Sequence, residues 1–240
     1  MTTTTSPIRH PATPVDVIAL QYANPTRLVA IPAGILVAVV IVMIGVTVAV
    51  VRAGGSGADL DYNGSVVWSL GGFIVATGVQ AVSATFPLAL ALGSTRRTFT
   101  VGLLATSALQ AALLTLASLV LLGLELATGG WFVGARVLSD STLGGGNPLA
   151  LIAVVYLSAL SALAVGGLFG ASWVRFGPRG PMLLGVAIAA VALLAVLILV
   201  PEIGAIARSF EAWWLAIAAV AVIAVSTLGE YLLLRRANVR

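Results

Sequence analysis

Apolar runs of about 19 to 27 residues alternate with short polar stretches along almost the whole chain, and each run is long enough to cross a hydrocarbon core of roughly 30 Å. The pattern predicts an all-α, polytopic membrane protein with six transmembrane helices at residues 28–51, 66–92, 100–124, 149–173, 182–200 and 213–234. Ahead of them, Thr13, Pro14 and Asp16 read as the N-cap, first helical position and acidic N3 residue of a short helix. Val15, Ile18, Ala19 and Tyr22 fall at i, i+3, i+4 and i+7, one apolar stripe, so this amphipathic helix is expected to lie along the inner membrane face. It should stop before Asn24-Pro25, because the residue preceding a proline is pushed out of the helical region. The expected organisation is a disordered cytoplasmic tail at 1–12, the interfacial helix and linker at 13–27, the six-span domain at 28–234 and a second tail at 235–240. Residues 1–12 hold no apolar stretch that would serve as a signal-peptide core, so the first span is expected to stay uncleaved.

Composition removes most soluble and enzymatic alternatives. Hydrophobic residues fill 60% of the 240 positions and charged residues 8%, against roughly 25% charged in an ordinary soluble domain, so a water-facing surface cannot be assembled. There is no Cys and a single His, His10, so neither a thiolate metal site nor a Ser-His pair inside the membrane is available. All 12 basic residues are Arg, and a standard phosphate-binding loop needs a Lys. The chain is therefore expected to bind no cofactor and no metal of its own, and to be no enzyme. Its net charge of +4 is scattered over membrane-flanking segments, which points to orientation and not to nucleic acid.

That charge divides unevenly. Arg9, Arg27, Arg96, Arg97, Arg175, Arg179, Arg235, Arg236 and Arg240 fall on one side of the six-span layout, and Arg52, Arg136 and Arg208 on the other. Nine against three in short loops places both termini in the cytoplasm. Trp68, Trp131, Trp173, Trp213 and Trp214 all lie at or just beyond an expected span end, as an interfacial belt requires.

Within the spans no ionisable residue falls near a midplane, which argues against a proton- or sodium-coupled transporter. The deepest is Glu230, one turn from Arg235 and Arg236, read as the point where the last helix emerges. The second span carries Thr77, Gln80, Ala84 and Pro87 on one face with Ser83 beside it, and Pro87 cannot donate to the carbonyl of Ser83, so a kink is expected there. Thr77, Gln80, Ser83 and Pro87, with Gln110 in the third span, are candidates to line a substrate path; the same polar groups also serve as interhelical hydrogen-bonding positions. Gly166 and Gly170, or Ala30, Gly34 and Ala38, allow close helix contact, a weak signal in a chain this rich in Ala and Gly.

The segment Phe86-Pro87-Leu88-Ala89-Leu90-Ala91-Leu92-Gly93-Ser94-Thr95-Arg96-Arg97-Thr98-Phe99-Thr100-Val101-Gly102 resembles the first cytoplasmic turn of small type-2 ABC exporter permeases, with Gly93, Thr95, Arg96, Arg97, Phe99 and Gly102 matching. The resemblance implies that Gly93, Ser94, Thr95, Arg96, Arg97, Thr98 and Phe99 couple the chain to a separate ATPase subunit, which would bind ATP and Mg. It implies a bacterial plasma-membrane location, a second permease chain as partner and a hydrophobic or amphipathic substrate exported by alternating access. The helix at 13–23 and the six-span layout are similar too. The short stretch 201–212 departs from that family's re-entrant helices before the last span, so the loop at 125–148 would have to supply any outer gate. Two other readings remain: a stand-alone immunity or assembly factor that binds a partner in the bilayer, and a secondary transporter of inverted three-span halves.

Overall fold

The structure, a computed structural model, describes residues 13–56, 60, 65–202, 211 and 213–237. The tail expected at 1–12 lies outside the described residues, as do 238–240. The described residues form α1 (Pro14–Gln21), α2 (Ile31–Arg52), α3 (Ser65–Ser83), α4 (Thr85–Ala91), α5 (Arg96–Ala127), α6 (Pro148–Phe176), α7 (Arg179–Leu199) and α8 (Trp213–Arg235), with short π and 3-10 turns between them. Six helical segments are long and apolar enough to span a membrane: Leu28–Arg52, Trp68–Ala91, Arg96–Ala127, Pro148–Phe176, Arg179–Leu199 and Trp213–Arg235. The chain is an all-helical membrane protein with six candidate spans among the described residues, and these follow the apolar runs of the sequence within a few residues.

Local chemistry sets the helix ends. Thr13 donates to Asp16 Oδ2 from both its backbone N (2.7 Å) and its hydroxyl (2.8 Å), closing the start of α1 and holding the Asp16 carboxyl below its ordinary range. Asn147 accepts from Leu149 N at 2.9 Å and Pro148 supplies the first turn of α6. The second span breaks at Ala84, between α3 and α4, three residues before Pro87, which has no N–H to give the helix.

α6 is the central post, and α3, α5, α7 and α8 all pack on it. The α3–α6 crossing is the tightest, and glycine permits it. A Cβ on Gly166 would lie 2.2 Å from the Val75 carbonyl oxygen, one on Gly78 2.5 Å from that of Leu163, and one on Gly170 2.6 Å from that of Val79. Between helices in lipid the hydrophobic effect gives little, so this backbone-to-backbone van der Waals contact is the main attraction available. Two apolar clusters flank the crossing. One, toward the loop after α5, joins Leu36, Val40, Leu70, Ile74, Leu114, Leu151 and Leu163 with Ala135, Val137, Leu138 and Leu143 of that loop. The other gathers Val17, Val82, Phe86, Phe99, Leu103, Ala171 and Leu234 at the opposite end, with the Phe86 and Phe99 rings edge-to-face at 5.1 Å. α7 stands apart: only its Gly180 is buried, under the Ser172 carbonyl of α6.

Of the two small-residue patterns, Gly166 and Gly170 lie in the crossing, whereas a Cβ on Gly34 would meet nothing within 4 Å. Gly166→Val should therefore destabilise the bundle by about 2 kcal/mol or more, the usual range for overpacking, while Gly34→Ala, which meets no neighbour, should leave stability unchanged or raise it by up to about 1 kcal/mol. Unfolding of both variants in mixed micelles, followed by circular dichroism, checks the contrast.

Candidate functional site

At the end of the bundle where α4 meets α5, four segments lock together. α4 closes with Gly93 at φ +94°, its N–H bonded to the Leu90 carbonyl and that of Ser94 to the Ala89 carbonyl, both at 3.0 Å, a left-handed cap that favours glycine. Thr95 then caps α5, its hydroxyl accepting from Thr98 N at 3.1 Å and pairing with the Thr98 hydroxyl at 2.8 Å. Arg96 reaches across to α8 and donates to the Leu234 and Arg235 carbonyls at 2.9 and 2.6 Å, satisfying orphan acceptors at that helix's C-terminus. Phe99 is fully buried against Phe86, and Ser94 is buried too. Of the seven residues assigned to coupling, Gly93, Thr95 and Arg97 are exposed, and Arg97 is the charge that faces outward.

α1 completes this block. Val17 is buried over α5, where a Cβ on Gly102 would come within 2.6 Å of its own Cβ, so the glycine makes room for the crossing. Gln21 is buried as well, and its Nε2 donates to the Ala81 carbonyl (3.1 Å) and the Thr85 hydroxyl (3.3 Å) at the α3–α4 break; Thr85 also donates to that carbonyl. The face that packs is Pro14, Val17 and Gln21, one position off the stripe read from sequence. Val15 is 68% exposed and Ala19 is exposed, while Ile18 and Tyr22 are half-buried, so the predicted stripe is only partly covered by protein. Burial raises the Tyr22 phenol above its ordinary pKa.

A groove of about 480 Å³ opens between α1, the start of α2 and α3, lined by Gln21, Asn24, Phe73, Thr77, Gln80 and Thr85 among others. It brings together Thr77 and Gln80 from the residues proposed for a substrate path. Ser83, Pro87 and Gln110 lie outside it: Ser83 donates to the Val79 carbonyl at 2.8 Å, Pro87 sits half-buried in α4, and Gln110 is buried in α5 with no partner for its Nε2 among the described residues.

Two acidic residues have roles the sequence did not reveal. Glu125, 1% exposed at the far end of α5, accepts from Trp131 Nε1 (3.0 Å), Val137 N (3.2 Å), Leu138 N (2.8 Å), Ser139 N (2.8 Å) and the Ser139 hydroxyl (2.6 Å). One carboxylate thus folds the loop 128–147 into a cap whose Val137, Leu138 and Leu143 close that end of the bundle. Trp131 and Phe132 are held at φ +57° and +62°, which non-glycine residues rarely adopt, and Phe132 is 87% exposed. Trp131 is consequently a strut of this cap, while Trp68, Trp173, Trp213 and Trp214 stand exposed near helix ends as a belt requires. The second residue, Glu230, does not emerge at the end of α8. It is 3% exposed and faces Gly167 of α6, because glycine leaves the room that its carboxyl occupies. The only sequence signal for either was an acid inside or beside an apolar run; the donors to Glu125 lie in the irregular loop that follows its helix, and the recess that takes Glu230 lies on another helix.

No protein-family model, curated protein or solved structure matches the chain, so the fold and these sites stand on their own geometry.

Glu125→Ala leaves three backbone N–H groups and the Trp131 indole without their acceptor, so it should lower stability by about 3 kcal/mol, as for a buried charge-assisted network. Protease sites within 128–147 should open in the variant and stay closed in the wild type, and limited proteolysis of reconstituted protein reads that difference.

Proposed function

We propose that this chain is the permease subunit of an ABC exporter in a bacterial plasma membrane, with both termini in the cytoplasm. A separate ATPase subunit would bind ATP and Mg, and a second permease chain, identical or related, would complete the path. The observation that carries the reading is mechanical. The exposed turn bearing Arg97 is tied through Arg96 to the end of α8, through Phe99 and Phe86 to α4, and through Gly102 and Val17 to α1. A force on that turn therefore moves the ends of several spans together, which is what two-state alternating access demands of a coupling element. The excess of Arg at that end supports a cytosolic position for it.

Inward and outward motion would reach the groove directly, since Gln21 joins α1 to the α3–α4 break beside Thr77 and Gln80. Its mostly apolar wall with a few amide and hydroxyl groups fits a hydrophobic or amphipathic substrate. The cap held by Glu125 stands at the opposite end, where an outer gate belongs.

The two arginines divide the test. Arg97→Glu should lose a co-purifying Walker-type ATPase, or weaken it by about tenfold, with an unchanged melting temperature, because an exposed charge sets association more than folding. Arg96→Ala should instead lower stability by about 1 to 2 kcal/mol through the lost cap on α8. Affinity purification in mild detergent with parallel thermal unfolding reads both, and an ATPase retained by Arg97→Glu, or absent from the wild type, overturns the proposal.

A further inference from the structure

Glu230 lies in a cavity of about 200 Å³ that opens sideways between α5 and α8. Both helices pack on α6 and barely on each other, which leaves the gap. The wall is apolar, with Leu103 of α5 and Leu163 of α6 among its residues, and its polar members are Glu230, Ser107 and Thr227. Thr227 has already committed its hydroxyl proton to the Ile223 and Ala224 carbonyls. Glu230 Oε1 is buried with no hydrogen-bond partner among the described residues, and Oε2 occupies the space a Cβ on Gly167 would fill, 2.5 Å from it. A lone carboxylate in such surroundings is expensive unless a proton or a counter-charge joins it. Among the described residues no Arg lines the cavity, and Arg96, beside the α8 terminus, spends its guanidinium on the Leu234 and Arg235 carbonyls.

From this placement we infer that the cavity is a binding site for an organic monocation carried on an apolar tail, with the ammonium head against Glu230 and the tail lying in the opening between α5 and α8. The volume is below the roughly 300 to 1,000 Å³ of drug-sized pockets, so it takes a head group and not a whole ligand. Leu104, 40% exposed at the rim, and Ile223 offer the tail an apolar track that continues into the bilayer. A small inorganic cation is less well served, since it needs several oxygen ligands and the wall supplies one carboxyl and two hydroxyls. Calling the ligand a transported substrate rests on the exporter reading; its binding does not.

The test uses the full chain in nanodiscs of zwitterionic lipid, without any ATPase, and octylammonium as probe, with octanol and octanoate as neutral and anionic counterparts. Calorimetry should show octylammonium binding that weakens about tenfold or more in Glu230→Gln and is unchanged in Glu211→Gln, an exposed acid two residues ahead of α8. In wild-type protein, octylammonium should slow modification of Glu230 by dicyclohexylcarbodiimide while octanol does not, a readout that stands even where the Gln variant fails to fold. Equal binding of octanol, undiminished binding to Glu230→Gln, unslowed modification, or displacement by sodium at matched concentration each overturns the site. An ATPase that co-purifies with protein indifferent to octylammonium removes this site and leaves the exporter reading standing; binding without any ATPase does the reverse.

Discussion

The structure depends on how closely α3 and α6 approach. Three glycines, Gly78, Gly166 and Gly170, put backbone against backbone where any side chain would collide with a carbonyl oxygen. In lipid that contact has no hydrophobic competitor, and its strength comes from many small dispersion terms summed over a long crossing. Once α6 is fixed against α3, its remaining faces set where α5, α7 and α8 sit. The crossing also determines the interior chemistry, because Gly167 in the same stretch makes the recess that receives the Glu230 carboxyl.

The two ends of the bundle are organised differently. At the α4–α5 turn, cohesion is shared among an aromatic pair, a guanidinium on a helix terminus and an amide on a helix break. No single group dominates, and several helix ends are joined there at once. At the other end nearly everything converges on Glu125, whose two oxygens take five hydrogen bonds from one loop. A network of that kind holds one conformation firmly, and it also offers one place at which the conformation can be released.

Much of this was legible in the sequence and some was not, for identifiable reasons. The spans were readable because bilayer thickness imposes a length on each apolar run. The start of α1 was readable from Thr13, Pro14 and Asp16, and the break near Pro87 from its missing N–H, since both are local effects. The packing face of α1 was not: the apolar stripe at Val15, Ile18, Ala19 and Tyr22 points to the membrane surface and names no contact with the bundle, and that contact is decided by Gly102 and by a hydrogen bond from Gln21, a polar residue. Likewise the turn from Gly93 to Phe99 reads as one motif along the chain, yet in space its members part company, Gly93 and Thr95 shaping the turn, Arg96 capping α8, Phe99 filling the interior and Arg97 facing out. Glu230 read as a surface group from its nearness to Arg235 and Arg236; which side of α8 faces α6 is a property of packing and not of position along the chain.

α7 carries a different implication. Its mean hydropathy of 3.0 matches that of the first span as the highest among the described spans, yet no residue of its most apolar stretch is fully buried by protein. Its tightest approach to the bundle is where Gly180 lies under the Ser172 carbonyl of α6. Such a segment is apolar enough to enter the bilayer without waiting for other helices to pack around it, so it serves as a fixed waypoint from which α8 crosses in the opposite sense.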